Sequence, residues 1–179
     1  YYSAESKSGQ EPWVASGTKA KIMANIYPGN RSSNPSNFLP INQNSGGEAA
    51  SYLFFAANNG NNGFELWSKN LDRKKENPKL AADIYPGTPS SYPNELSKAN
   101  ETLFFTANKE GSGRELWKLD ISEDYVDSSS ADNNNQDSSN NSNISNEQPS
   151  LVKDIRPGKK GSDPAQIYNH QDKLYFAAN

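Results

Sequence analysis

Gly113-Arg114-Glu115-Leu116-Trp117 restates Gly63-Phe64-Glu65-Leu66-Trp67 fifty residues later. An apolar run precedes each: Leu53-Phe54-Phe55-Ala56-Ala57-Asn58 before the first and Leu103-Phe104-Phe105-Thr106-Ala107-Asn108 before the second. Working outward, Asn25-Ile26-Tyr27-Pro28-Gly29, Asp83-Ile84-Tyr85-Pro86-Gly87 and Asp154-Ile155-Arg156-Pro157-Gly158 form a second recurring string. Four residues beyond each of those glycines stands a serine (Ser33, Ser91, Ser162), and six beyond stands a proline (Pro35, Pro93, Pro164). Self-similarity at a fixed period of this size is the mark of a propeller, a solenoid or a repeat array.

The strings read as strands. Lys79 to Ile84 is a short extended run stopped by Pro86-Gly87, a strong turn signal. Pro93-Asn94-Glu95-Leu96 opens a second strand, with a hairpin turn at Lys98-Ala99-Asn100. Leu103 to Ala107 makes a third, and Glu115 to Leu119 a fourth after a Gly-rich turn. Nowhere is a 3.6-residue period sustained, so helix is not expected. The third strand is apolar at nearly every position, which requires cover on both faces, as between two neighbouring sheets. Four short strands in about fifty residues match one propeller blade.

The fold expected is therefore all-β, a β-propeller fragment of about three blade equivalents of four antiparallel strands, with a β-solenoid as the alternative. Residues 1–18 read as a partial blade, 19–77 and 78–120 as whole blades, and 150–179 as a second partial blade. Small residues on the first strand (Ala24, Ala81, Ala82) would suit a crowded central channel. Two segments break the period. Residues 40–51 lengthen one hairpin, and 121–149 form an Asn- and Ser-rich insertion whose composition predicts disorder. Both chain ends fall inside a repeat, so the chain reads as a piece of a longer protein.

Composition narrows the function. The 179 residues carry a net charge of −3 and only 32% hydrophobic residues, yet nine Tyr, seven Phe and three Trp, so the core is aromatic. There is no basic stripe of the kind that nucleic acid requires. No apolar run approaches a membrane span. With no cysteine, disulfides, thiolate metal sites and cysteine nucleophiles are excluded.

The assembled strings resemble the ELWxxDGT repeat family of large bacterial proteins, in which D-I-x-P-G, S-x-P, F-x-A and G-x-E-L-W follow in order. Gly63 to Trp67 and Gly113 to Trp117 match that pattern closely. Gly9-Gln10-Glu11-Pro12-Trp13 matches with Pro12 for Leu, and Ser16-Gly17-Thr18 stands for D-G-T. The D-G-T element is missing after Trp67 and Trp117. The resemblance covers almost all of the chain outside 40–51 and 121–149. It implies a propeller-like architecture and an extracellular or cell-surface setting, with no single activity to carry over.

Each recurring residue has an architectural and a functional reading. Trp13, Trp67 and Trp117 read as anchors between blades, with Glu65 and Glu115 bonding neighbouring backbone; the rival is a ligand-stacking surface. Asp83 and Asp154, with Asn25, read as caps of the Pro-Gly turns. A ring of such carboxylates could instead hold Ca²⁺. Tyr27, Tyr85 and Tyr92, near the Pro-Gly turns, are candidate ligand or interface aromatics for a glycan. His170, the lone histidine, has no nucleophile or acid beside it in sequence and reads as a turn residue. The function expected is a non-catalytic structural or protein-interaction module that binds a protein partner or itself. A carbohydrate-binding propeller and an enzyme on a propeller scaffold are the alternatives. No catalytic residue, cofactor site or metal site is assigned.

Overall fold

The computed structural model describes residues 1–45, 48–121 and 148–179. It is all-β, with no helix among the described residues, and its strands form four antiparallel sheets, none of them closed. The first sheet is β1 (Tyr2–Ser6), β2 (Gly9–Ser16) and β3 (Lys19–Ile22) in that order. The second is β4 (Ser36–Ser45), β5 (Glu48–Asn58), β6 (Phe64–Asn70) and β7 (Lys79–Ala82). The third is β8 (Asn94–Ala99), β9 (Thr102–Lys109), β10 (Gly113–Asp120) and β11 (Ser150–Lys153). The fourth is the pair β12 (Ala165–His170) and β13 (Lys173–Ala177). The Asn- and Ser-rich insertion expected over 121–149 falls, apart from 121, 148 and 149, outside the described residues.

The sheets divide the chain at different points from those the repeat suggested. Lys79–Ala82 does not open the third sheet; it closes the second, Leu80 opposite Trp67 and Ala82 opposite Leu66. Lys19–Ile22 likewise closes the first sheet against β2, and Ser150–Lys153 closes the third against β10. The breaks at 18/19, 77/78 and 149/150 therefore cut through sheets. A period fixes the length of a unit and is silent about its phase, which hydrogen bonding alone decides. Ala82 consequently ends a last strand instead of lining a channel, and Ala24 lies outside any strand. The lengthened hairpin is as read: β4 and β5 stay paired out to Ser45 opposite Glu48, whereas β8 and β9 end at Ala99 opposite Thr102.

β5 is covered on both faces, as its unbroken apolar run requires. Phe54 joins a core shared by the second and third sheets, with Leu66, Ile84, Leu103, Phe105 and Trp117. Leu53 and Phe55 face the other way, into a cluster with Ile26 and Trp67. β9 buries Leu103 and Phe105 completely, while Phe104 on its other face is half-buried. The equivalent residues of β13 are not covered. Tyr175 is 54% and Phe176 37% exposed, contrary to the burial their repeat position implies, because among the described residues no third strand joins the β12–β13 pair and no further sheet lies over it.

The opening strands of successive sheets lie side by side, β4 beside β8 and β8 beside β12. Each carries a bulge at the same place: pairing shifts between Ser36 and Leu39, between Asn94 and Ser97, and between Ala165 and Tyr168. A residue within each bulge has positive φ: Asn37 at 57°, Glu95 at 55° and Gln166 at 58°. An extra residue re-aims the side chain there. Asn37 Nδ2 donates to Pro93 O at 3.0 Å, and Glu95 Oε2 accepts from Ile167 N at 3.1 Å. The bulges of β4 and β8 thus tie each of these strands to the next sheet.

Candidate functional site

Three glutamates with no exposed surface, Glu11, Glu65 and Glu115, sit at the same point of β2, β6 and β10. Burying a carboxylate is costly unless hydrogen bonds compensate it. Each finds its donors in the loop leading to the next sheet. Glu65 accepts from Ile84 N (2.8 Å), Ser91 N (2.8 Å) and Ser91 Oγ (2.7 Å). Glu11 accepts from Ile26 N (2.9 Å) and Ser33 Oγ (2.6 Å). Glu115 accepts from Ser162 N (2.8 Å) and Ser162 Oγ (2.5 Å), with longer bonds from Ile155 N and Arg156 N.

The serines complete a relay between sheets. Their carbonyls accept from the amide of an asparagine in the following unit: Asn58 N to Ser33 O (3.0 Å), Asn108 N to Ser91 O (2.7 Å) and Asn179 N to Ser162 O (2.8 Å). All three serines are fully buried. Each junction is therefore Glu of one sheet, Ser of the loop and Asn of the next sheet, made three times.

The glycine two residues before each glutamate belongs to this clamp. Gly9, Gly63 and Gly113 have φ of 80°, 70° and 69°. A Cβ on them would lie 2.2 Å from Arg31 O, 2.4 Å from Pro89 O and 2.6 Å from Lys159 O. Only glycine admits the loop so close.

Burial pushes the Glu65 carboxyl up to about 7, with the Asp83 charge adding to the rise, while the bonds from Ser91 and Ile84 oppose it. The chemistry available to the trio is holding: the serine hydroxyls and the carboxylates are turned entirely inward.

The tryptophans differ among the repeats. Trp67 and Trp117 are 8% and 4% exposed, and their Nε1 groups donate to Ala57 O (3.0 Å) and Ala107 O (3.2 Å). Trp13 is half-buried, and its Nε1 has no partner.

Two of the three Pro-Gly turns are capped from the third residue before the proline. Asp83 Oδ2 accepts from Gly87 N (3.3 Å) and from Asn62 Nδ2 (2.8 Å), and Asn25 Nδ2 donates to Gly29 O (3.1 Å). Asp154 keeps one buried oxygen, Oδ1, without a partner. No group of three or more His, Asp or Glu side chains converges among the described residues. His170 ends β12, its ring 6.3 Å from Tyr168.

The three candidate tyrosines are not gathered into one site. Tyr27 lies against Gly60 and receives the Arg31 guanidinium on its hydroxyl and over its ring. Tyr85 is partly buried in its own turn. Tyr92 lines an open cleft of about 410 Å³ where the second and third sheets meet. Its ring stacks on Phe64 with centroids 5.3 Å apart. Arg114 forms another wall, its Nη2 donating to Tyr92 O (3.0 Å) and Thr106 Oγ1 (2.7 Å). Burial lowers the Arg114 pKa, and Asp163 and Glu95 pull it back up.

Sequence reasoning missed the Glu–Ser pairing, although Ser33, Ser91 and Ser162 were visible as a recurring offset. It also missed Arg114. Its only signal is that it varies where its neighbours repeat, standing where Gln10 and Phe64 stand in the other copies.

No family model matches this chain, and no curated protein or solved structure does. The ELWxxDGT resemblance therefore rests on the residues quoted for it. Among the described residues no helix is long and apolar enough to cross a membrane.

Proposed function

We propose that the chain is a stretch of a β-propeller serving as a non-catalytic structural and protein-interaction module of a larger extracellular or cell-surface repeat protein. The side-by-side opening strands β4, β8 and β12 support a common axis, and a stack of solenoid coils would instead align every strand of the unit. One observation carries the functional half. The residues that recur in every unit, the Glu and Ser of the junction and the Gly before them, are consumed in fastening sheet to sheet. None of those three recurring positions is left presenting chemistry to solvent among the described residues. The setting and the larger protein come from the family resemblance. The reading includes no cofactor.

The partner in this reading is a sheet of the same kind. Tyr175 and Phe176 occupy the position of Phe54-Phe55 and Phe104-Phe105, and what covers that position between the second and third sheets is another sheet of the repeat. A second copy of the chain is thus the occupant that fits the exposed β12–β13 face, and exposed apolar strands with a free edge pair readily. Sedimentation at micromolar concentration tests this. The parent chain should associate, and Tyr175→Lys with Phe176→Lys should return it to a monomer. A parent chain that stays monomeric to about 100 μM, well above a typical micromolar Kd, would remove self-association from the reading.

A further inference from the structure

We propose that the cleft between the second and third sheets binds a neutral saccharide of one or two pyranose rings, with Tyr92 as its stacking platform. The proposal does not depend on self-association or on the propeller reading.

The first observation is a local backbone cost that the core does not require. Tyr92 has φ of 49°, in the left-handed region, as do its equivalents Asn34 and Asp163 at 45° each. Asn and Asp tolerate that conformation; a bulky aromatic residue there is an outlier. All three lie between a buried serine and a buried proline, and all three are themselves exposed. The backbone thus needs a left-handed residue, and the core does not need a tyrosine. Tyr92 is 53% exposed, so the ring is held outward on strained backbone, and strain of this kind gathers at ligand sites.

The second observation is the wall chemistry. The stacked Phe64 holds the Tyr92 ring in place, offering a flat apolar surface of the kind a pyranose ring covers. Around it stand the side-chain amides of Asn34, Asn37 and Asn94 and the hydroxyl of Ser36. Amides and hydroxyls both donate and accept, which is what a set of sugar hydroxyls requires. Asn37 uses its Nδ2 on Pro93 O and Ser36 Oγ, so its carbonyl oxygen can accept. Arg114 donates through Nη2 to Tyr92 O and Thr106 Oγ1, which fixes the plane of the guanidinium and leaves the rest of its fork to donate.

Charge selects a neutral ligand. Among the described residues the one cation lining the cleft is Arg114, and the nearby acids Asp163 and Glu95 offset it. A polyanion would meet those carboxylates, and an organic cation would meet the guanidinium. The cleft volume of about 410 Å³ lies within the range of small-ligand sites, roughly 300–1,000 Å³. The site is also particular to this junction. At the matching positions the neighbouring repeats place Gln10 for Phe64 and Asp163 for Tyr92.

The test uses the whole chain, uniformly ¹⁵N-labelled, titrated with cellobiose, maltose, lactose and chitobiose up to about 10 mM, since one stacking subsite gives millimolar affinity. At least one disaccharide should shift the backbone amides of Asn34, Ser36, Asn37, Tyr92 and Asn94 and the Arg114 side chain. Two variants install residue types that this backbone position already carries elsewhere in the chain: Tyr92→Asn and Arg114→Gln. Tyr92→Asn should keep or raise the melting temperature while weakening binding about tenfold or more, and Arg114→Gln should weaken it less. The proposal is overturned by a panel that shifts nothing, by shifts that survive Tyr92→Asn, or by shifts centred on Tyr27 or Tyr85. A neutral peptide that occupies the cleft more tightly than every disaccharide would assign it to a protein partner instead.

Discussion

At the scale of single residues, the junction explains why Glu, Ser and Gly recur at fixed offsets, and it sets their expected responses to change. Ser91→Ala removes a buried hydroxyl donor from Glu65 and should cost about 1–3 kcal/mol in urea unfolding. Gly63→Ala should cost about 3 kcal/mol or more, because its Cβ would lie 2.4 Å from a backbone oxygen as well as on strained φ. Gly111→Ala, with φ of 90° and open space around it, meets only the left-handed penalty of roughly 1–2 kcal/mol. Equal losses at the two glycines would contradict the close-approach account. The Glu65 carboxyl adds a dependence on pH. Its folded value of about 7 exceeds the ordinary 4.5, so the folded chain holds that proton more firmly than the unfolded chain does. That contribution is complete below about pH 4.5 and is lost as pH rises through about 7. Unfolding measured from pH 5 to 8 should therefore show the parent losing stability relative to Glu65→Gln as pH rises, and the opposite slope would mean that the junction donors outweigh burial. Much of this was legible in advance as recurrence, since the Ser and Pro offsets are plain in the chain. The bonding was not, because Glu65 and Ser91 are 26 residues apart and only folding brings them together.

At the scale of elements, the repeat's strands were readable and their grouping was not. Alternation, turn residues and the unbroken apolar run located β5, β6, β9 and β10, because each is decided by local chemistry. The sheet to which β7 belongs is decided by Leu80 and Ala82 pairing with Trp67 and Leu66, a non-local choice that leaves no trace in spacing. The left-handed bulges of β4, β8 and β12 were equally hidden, since Asn37, Glu95 and Gln166 share no side-chain type. The tryptophans give the element-level prediction. Trp67→Ala and Trp117→Ala each empty a buried site and remove a bond to the adjacent strand, and should cost roughly 3–5 kcal/mol. Trp13→Ala should cost clearly less, because Trp13 is half-buried and its Nε1 bonds nothing. Thermal melts of the three variants compare them directly. A Trp13 variant as damaged as the other two would mean that all three anchor equally.

At the scale of the whole molecule, stability should be graded along the chain. The second and third sheets share one aromatic core and are joined by the Glu65–Ser91–Asn108 relay, so neither can open without exposing the other's buried face. The first sheet is tied to the second through Glu11, Ser33 and Asn58, but its strands are more exposed. The β12–β13 pair packs beside the third sheet, with Tyr168 62% and Tyr175 54% exposed, and the Glu115–Ser162–Asn179 relay and the Asn169 bond to Lys98 O hold it there. Regions with few buried apolar contacts open at lower free energy than the core does. Amide hydrogen exchange should thus be slowest in β5, β6, β9 and β10, intermediate in β2, and fastest in β12 and β13. Exchange run at two protein concentrations adds a control on assembly. If a second copy seats on the β12–β13 face, protection there should rise with concentration while the core amides stay as they were. Uniform protection across all four sheets at the lower concentration would show a single cooperative unit and defeat the graded picture, and a β13 that stays unprotected at the higher concentration would place self-association on another surface.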